Sequence, residues 1–517
     1  SAQAERADLA AATLASLEGM PETGDDDRVA SAVMRERLTT WLGLHEAGEG
    51  LRELNALDAA PATTRATFDL TPAGTPAERE AALARLQAVP AALESWREAL
   101  AEGRARGLLA ARRQALATAA QCEAFAGATP GAGWFSGWAA RAAGEVPSGQ
   151  AAAFADAAGR AEAAYAATAR WLCEDYAPSA TETDAVGEER YARLARAWNG
   201  ADLDLRETYA WGWEELARIT ARMERVADRL VPGGTVAAAK DHLDDDDRWA
   251  ITGTDALLAY LEDLTARTTE ALGAEQFDID PRIRRCEVRL AAEGSAAAPY
   301  YMPPSEDLSR PGSTWYATMG RDRFPRWWLV SVWYHEGVPG HHLQVATALL
   351  ERERLSRFQR TVGWTSGYGE GWALYAERLM DELGGFADEG EEMGFLSAQA
   401  MRATRVVVDI GLHLGLQVPE GADPEVGGRV IDATVAVDLL RRRALLEEDF
   451  AVSEVDRYCG LPGQAISYKV GERFWLEARE GAKARHGSAF DLRDWHGRAL
   501  RLGPMGLDPF AAEMARY

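Results

Sequence analysis

The chain is poor in cysteine and histidine, and both shortages are informative. Four cysteines in 517 residues, at 122, 173, 286 and 459, form no CxxC or CxxH pattern. This excludes a cysteine-based zinc module and a dense disulfide framework. The cysteines read as small buried hydrophobes, which favours a reducing compartment. No apolar run reaches the roughly 18 residues of a spanning helix, so no membrane partner is expected. The first residues, SAQAERADLAAATL, lack the basic and apolar regions of a signal peptide. A cytoplasmic protein is therefore expected, although the initial Ser allows for a removed leader. The net charge of −25 would repel a phosphate backbone, and there is no basic stripe to offset it, so nucleic acid is not an expected partner.

Long runs rich in Ala, Leu, Arg and Glu carry apolar residues at i, i+3, i+4 and i+7, which predicts a mainly α protein. Thr75, Pro76 and Glu78 mark a well-made helix start. Residues 52–76, punctuated by Pro61, Pro72 and Pro76, read as irregular. Tyr209, Trp211 and Trp213 fall on one long helix, as core or as a wall of a substrate site. Four consecutive carboxylates, Asp244 to Asp247, lack the alternation of a calcium loop and read as a solvated turn. Between 278 and 320 the texture changes to short β-branched and aromatic runs bounded by Pro and Gly. This predicts a small sheet with an edge strand beside the helix that follows. The expected organisation is a helical scaffold over residues 1–276 and a chemically active region over 277–517, packed as one continuous body.

Of the eight histidines, three lie between 335 and 342, in HEGVPGHH. Glu336 follows His335, and Glu370 opens a second helical run in GYGEGWALYAE. Two histidines and a glutamate, with one position left open, suit a catalytic mononuclear zinc site, one ion per chain; other divalent transition metals are compatible. In HExxH the histidines lie about 40° and about 6 Å apart on one helix. Here His341 would be rotated by roughly 240°, and His342 would sit about 10 Å along the axis. A regular helix fails for both. Pro339 and Gly340 can break it, which leaves His341 as the preferred second ligand and His342 as the alternative. Glu336 stands where HExxH enzymes place the general base. Glu377, seven residues after Glu370, can orient a ligand or make a surface ion pair. Arg405, Asp409 and His413 form a polar stripe on an apolar helix.

HEGVPGHHLQ, GYGEGWALYAE, RVVVDIGLH (405–413) and PGQAISYKVGE (462–472) together resemble the bacterial family called domain of unknown function 885, and weaker similarity spans nearly the whole chain. That family is distantly similar to the helical gluzincin metallopeptidases. The resemblance implies a large helical zincin-like body with a deep cleft. It also implies His335, His341 and Glu370 as ligands, Glu336 as base, Tyr468 as oxyanion donor, and Arg405 and His413 in the cleft. The function expected is zinc-dependent hydrolysis of an amide bond in a short peptide or peptide-like molecule, with water activated at the metal. The alternative is a biosynthetic tailoring enzyme using the same site for non-peptide hydrolysis, cyclisation or elimination. The sequence leaves the oligomeric state open.

Overall fold

In this computed structural model, residues 2–129, 131–144, 148–291 and 298–517 are described. The protein is mainly helical, as its periodicity predicts. The Pro76–Ala105 helix opens on the predicted capping box: Thr75 Oγ1 accepts from Glu78 N–H, and Glu78 accepts from Thr75 N–H at 2.8 Å. Segment 52–76 is less irregular than predicted, since it contains the helix Ala60–Thr67. Pro61 sits in that helix's first turn, where its missing N–H costs nothing, and so begins the helix instead of breaking it. No helix among the described residues is long and apolar enough to cross a membrane.

The chain divides into two compact units, but not at residue 276/277. One comprises residues 1–4, 43–186 and 452–462; the other comprises 5–42, 187–451 and 463–517. The predicted boundary follows chemical texture, whereas the units follow packing between segments hundreds of residues apart.

The first unit is an alanine-rich helical assembly. The Pro76–Ala105, Arg112–Ala126, Trp134–Ala143 and Ser148–Trp171 helices enclose Leu86, Leu93, Phe135, Phe154 and Tyr165. Small side chains let these helices approach, and buried polar tips find backbone partners. Tyr165 Oη donates to Pro61 O at 2.7 Å, and Trp138 Nε1 donates to Phe68 O at 3.0 Å.

The second unit holds all five strands found among the described residues. Strand β1 (Ala250–Thr252) pairs antiparallel with β5 (Arg323–Pro325), a pairing too short to announce itself in the sequence. The predicted sheet lies in 278–320 and has the order β2 (Cys286–Leu290), β4 (Gly312–Tyr316), β3 (Tyr300–Met302). Residues 292–297 of that stretch lie outside the described residues. β4 is the central strand, parallel to β2 and antiparallel to β3. The edges are β2 and β3, and Pro303 and Pro304 directly follow β3. Within the unit, the aromatic residues Tyr209 and Trp213 are buried. Their helix, Leu205–Leu230, packs at Gly212, where an added Cβ would lie 2.9 Å from Val406 of the Glu389–Leu414 helix.

His496 is a pH-sensitive part of this core. Fully buried, it stacks on Phe277 at 4.5 Å, accepts from Tyr375 Oη at Nε2 (2.8 Å) and turns Nδ1 to Gln276 O. Burial pushes its pKa down to about 3. An unfolded histidine binds its proton near pH 6.5, so the unfolded chain takes up that proton first. Stability from His496 is complete above about pH 6.5 and declines as pH falls toward 3. Denaturation midpoints across this window should show the decline in the wild type, and a shallower one, by about one proton, in His496→Gln.

Candidate metal centre

The first ligand sits at the end of a helix that packing makes rigid. Arg326–Glu336 buries Trp327, Leu329, Val330 and Trp333. Trp333 Nε1 donates to Thr265 Oγ1 at 2.9 Å, and Tyr334 Oη donates to Gly385 O at 2.8 Å. The helix stops at Glu336, and a new one runs from His341 to Leu350. The predicted interruption thus occupies Gly337 to Gly340, with a cis Val338–Pro339 peptide. An added Cβ at Gly340 would lie 1.9 Å from His335 O, so only glycine lets the chain double back this closely. Trp372 Nε1 reaches both Pro339 O (2.9 Å) and Gly340 O (3.1 Å). It gives Pro339 O a donor where the helix is broken and adds a second to Gly340 O, which also accepts from Gln344 N–H at 3.2 Å.

The turn separates the two histidines, of which the sequence preferred His341. His341 swings back to face His335, with ring centroids 4.8 Å apart and planes at 86°. His342 points elsewhere: Nε2 meets Ile283 O at 2.8 Å, and Nδ1 meets Tyr301 Oη at 3.1 Å. Burial lowers the pKa of His342 to about 4. It ties the helix to the β2–β4–β3 sheet as a neutral ring.

Three atoms converge. Glu370 Oε2 lies 3.2 Å from His335 Nε2 and 3.6 Å from His341 Nε2. Glu336 joins them: His335, Glu336 and His341 each present a ligand atom within 4.8 Å of one another. Both carboxylates are near enough to bind an ion, and their electrostatics differ. Burial works against charge on Glu370, but His335 and His341 hold its carboxyl well below the usual range. Burial pushes Glu336 up, against the pull of the two histidines. Glu370 is the ionised carboxylate and Glu336 the more basic one. Both are only partly buried: Glu370 keeps 21% of its side-chain surface, and Glu336 is likewise intermediate.

His335 is oriented from behind. Its Nδ1 lies 2.8 Å from Glu377 Oε1. Glu377 is fully buried, accepts from Ser331 Oγ, and has Arg402 3.8 Å away. The sequence offered a surface ion pair as one role for Glu377; the structure places it instead behind a ring nitrogen. With Nδ1–H donating to Glu377, a neutral His335 turns its Nε2 lone pair toward Glu370 and His341. Three lone-pair atoms then face one another, which requires a proton or a cation among them. Burial disfavours the proton, but Glu370 and Glu377 raise His335 to about 9. A divalent cation meets the same requirement, and the donor set of two imidazoles and one carboxylate fits zinc.

Glycines bring the remaining groups close. Ser366–Glu382 and Ser467–His486 pack backbone to backbone, such that a Cβ on Gly371 would lie 2.4 Å from Gly471 C. This contact sets Tyr468, in the first turn of its helix, beside His335; the rings lie 6.2 Å apart and nearly parallel. Next to Tyr468, the fully buried Lys469 is held by Glu215, Gln399 and Glu472 from three helices. The Arg405 guanidinium sits 4.8 Å over the Tyr468 ring.

The Arg405–Asp409–His413 stripe divides along its length. His413, eight residues and about 12 Å beyond Arg405, stacks by Tyr191 at 5.5 Å and faces Asp409 at 3.6 Å. Asp409 also accepts from Tyr191 Oη and Gly463 N, which fixes the loop leading into the Tyr468 helix. Sequence reasoning missed Ser331, Arg402 and Trp364. Arg402 was legible only as a neighbour of Arg405, and Trp364 as one tryptophan among 17. A recess of about 400 Å³ lined by Lys240, Glu425, Asp438, Arg441 and Glu447 shares no residue with this centre.

The family described as "Bacterial protein of unknown function (DUF885)" matches residues 1–514. No curated protein is significantly similar to the chain. A solved structure from Colwellia psychrerythraea, described as a "putative lipoprotein", superposes with a TM-score of 0.83 at 22% identity. It covers 99% of this chain and 90% of its own. A second, from Shewanella oneidensis, described as a "putative lipoprotein of unknown function", gives 0.75 at 16% identity, with 99% and 92% coverage. These descriptions correct the cytoplasmic placement expected from the sequence: absence of a recognisable signal in the first residues is no guide to where the chain resides.

The turn should be intolerant of a single methyl group. Gly340→Ala is expected to lower stability by on the order of several kcal/mol, because the methyl collides with backbone at His335. Thermal denaturation checks this against the control Gly337→Ala, whose Cβ would come no nearer than 3.0 Å to backbone.

Proposed function

We propose that this chain, which belongs to the bacterial DUF885 family, is a metal-dependent hydrolase that cleaves an amide bond in a short peptide or peptide-like molecule. The observation that carries the reading is the convergence of His335 Nε2, His341 Nε2 and Glu370 Oε2 within 3.6 Å of the shared carboxylate oxygen, with Glu336 beside them. These three residues would hold one divalent ion, with zinc the best fit to the donors. The ion would supply Lewis-acid polarisation of a carbonyl and would lower the pKa of a water molecule toward neutrality.

The remaining chemistry falls to the chain. Glu336, more basic than an ordinary carboxylate because it is buried, takes the proton from the attacking water at its carboxylate and passes it to the departing amine. Glu377, through His335 Nδ1, fixes the ring so that Nε2 faces the centre. Tyr468 directs its hydroxyl to the oxygen on which negative charge develops. The cationic Arg405 over its ring favours that donation by stabilising electron density on the phenol. Arg402 balances the negative charge of Glu377 and Glu336. A gluzincin-type body with a substrate cleft at this centre belongs to the same proposal. So does location in the cell envelope, supported by the lipoprotein descriptions of the two structural relatives.

Four measurements test the reading. Elemental analysis of gently purified protein should give about one zinc per chain, as a single set of three protein ligands implies; metal-free protein that takes up no zinc overturns it. A chelator should abolish cleavage of a short-peptide library, and added zinc should restore it. Glu336→Gln should keep its metal and lose on the order of 10²–10⁴ in turnover. Glu377→Ala should instead weaken metal affinity by about 10–100-fold, read by competition with a colorimetric chelator.

A further inference from the structure

One large apolar side chain near the centre is left open to solvent. Trp364 is 42% exposed, whereas Trp333, Trp372, Trp475 and Trp495 of the same unit are fully buried. It is held in place all the same. Its ring lies against the backbone of Gly369, where a Cβ would come 1.9 Å from Cζ2. It also meets the buried Tyr368 edge-on at 6.3 Å. Its next neighbour is His341, with ring centroids 6.5 Å apart. Thr365, the following residue, caps the Glu370 helix by accepting from Tyr368 N–H and is itself anchored to Met505 O at 2.9 Å. A loop tethered in this way has little freedom to bury the indole elsewhere.

We infer that Trp364 is a specificity-determining residue: its exposed surface binds an aromatic or large apolar side chain of the substrate, next to the bond that is cleaved. The inference rests on the metal-hydrolase reading and names its substrate class. A rigidly mounted indole loses little entropy on stacking, and an aromatic partner gains more from it than a methyl group does. Gly369 serves this arrangement directly, because any side chain there would displace the ring. The adjacent Glu370 then places the apolar wall beside the carboxylate that faces both histidines. Tyr468 and Arg405 stand beside His335, so polar groups flank one histidine and the indole flanks the other.

The test compares binding of phenylalanine hydroxamate and alanine hydroxamate to the zinc-supplemented full chain by calorimetry. Wild type should bind the phenylalanyl probe on the order of tenfold more tightly. In Trp364→Ala this ratio should fall to near one with zinc content unchanged, and in Trp364→Phe most of it should remain. Equal binding of the two probes by wild type, or an unchanged ratio in a zinc-loaded Trp364→Ala, overturns the role of Trp364 and leaves the hydrolase reading standing. Binding of neither probe by wild type removes the metal-site reading and this inference together. Trp364→Leu provides a second variant should the alanine protein fold poorly: the phenylalanyl preference is expected to fall several-fold there, and full retention counts against stacking.

Discussion

The centre depends on a helix being stopped and restarted within four residues. A continuous helix carries His341 to the wrong face and His342 too far along the axis. At Gly340 the chain passes within a methyl's distance of the His335 carbonyl, and Trp372 donates to the buried Pro339 and Gly340 carbonyls of the turn. Trp372 lies on the same helix as Glu370, two residues on. The group that secures the turn and the group that completes the donor set therefore move as one piece. Placing a carboxylate to within a fraction of an ångström requires such a mount, since a ligand on a free loop would spread its position over several ångströms.

Around this turn, polar groups are arranged by depth. Glu370 and Glu336 keep contact with solvent, whereas Glu377, Lys469, Asp409 and His413 are enclosed. Enclosed charges are expensive unless each is answered, and here the answers come from different helices: Arg402 and Ser331 for Glu377, and Glu215 and Glu472 for Lys469. The network joins the helices that carry Glu370, Arg405 and Tyr468. It accounts for a polar stripe on an otherwise apolar helix.

Much of the centre was legible because it obeys local rules. The spacing of His335, Glu336 and Glu370, the breaking power of Pro339–Gly340 and the capping box at Thr75 are short-range physics, and each appears in the structure. The ranking of His341 over His342 was only a preference in the sequence; it needed the direction of the turn, which Trp372 and the sheet decide from outside the motif. The units depart from the expected 276/277 division because residues 5–42 and 187–276 join the second unit, and 452–462 the first, through packing that no local pattern encodes. The order of the strands within 278–320 was not legible, because β3, three residues long, carries too weak a signal to be placed beside β4. Trp364 was invisible because an exposed and a buried tryptophan look alike as letters.

The discontinuity of the second unit bears on how the protein is made. The ribosome delivers His335, Glu336 and Glu370 well before Tyr468, and the Gly371–Gly471 contact cannot form until residues 463–517 have emerged. A nascent chain thus carries two imidazoles and two carboxylates without the Ser467–His486 helix against the Glu370 helix. Maturation of the centre is in this sense a late event of synthesis: a chain truncated before residue 463 would keep His335, Glu336, His341 and Glu370 without the backbone surface that shapes their surroundings.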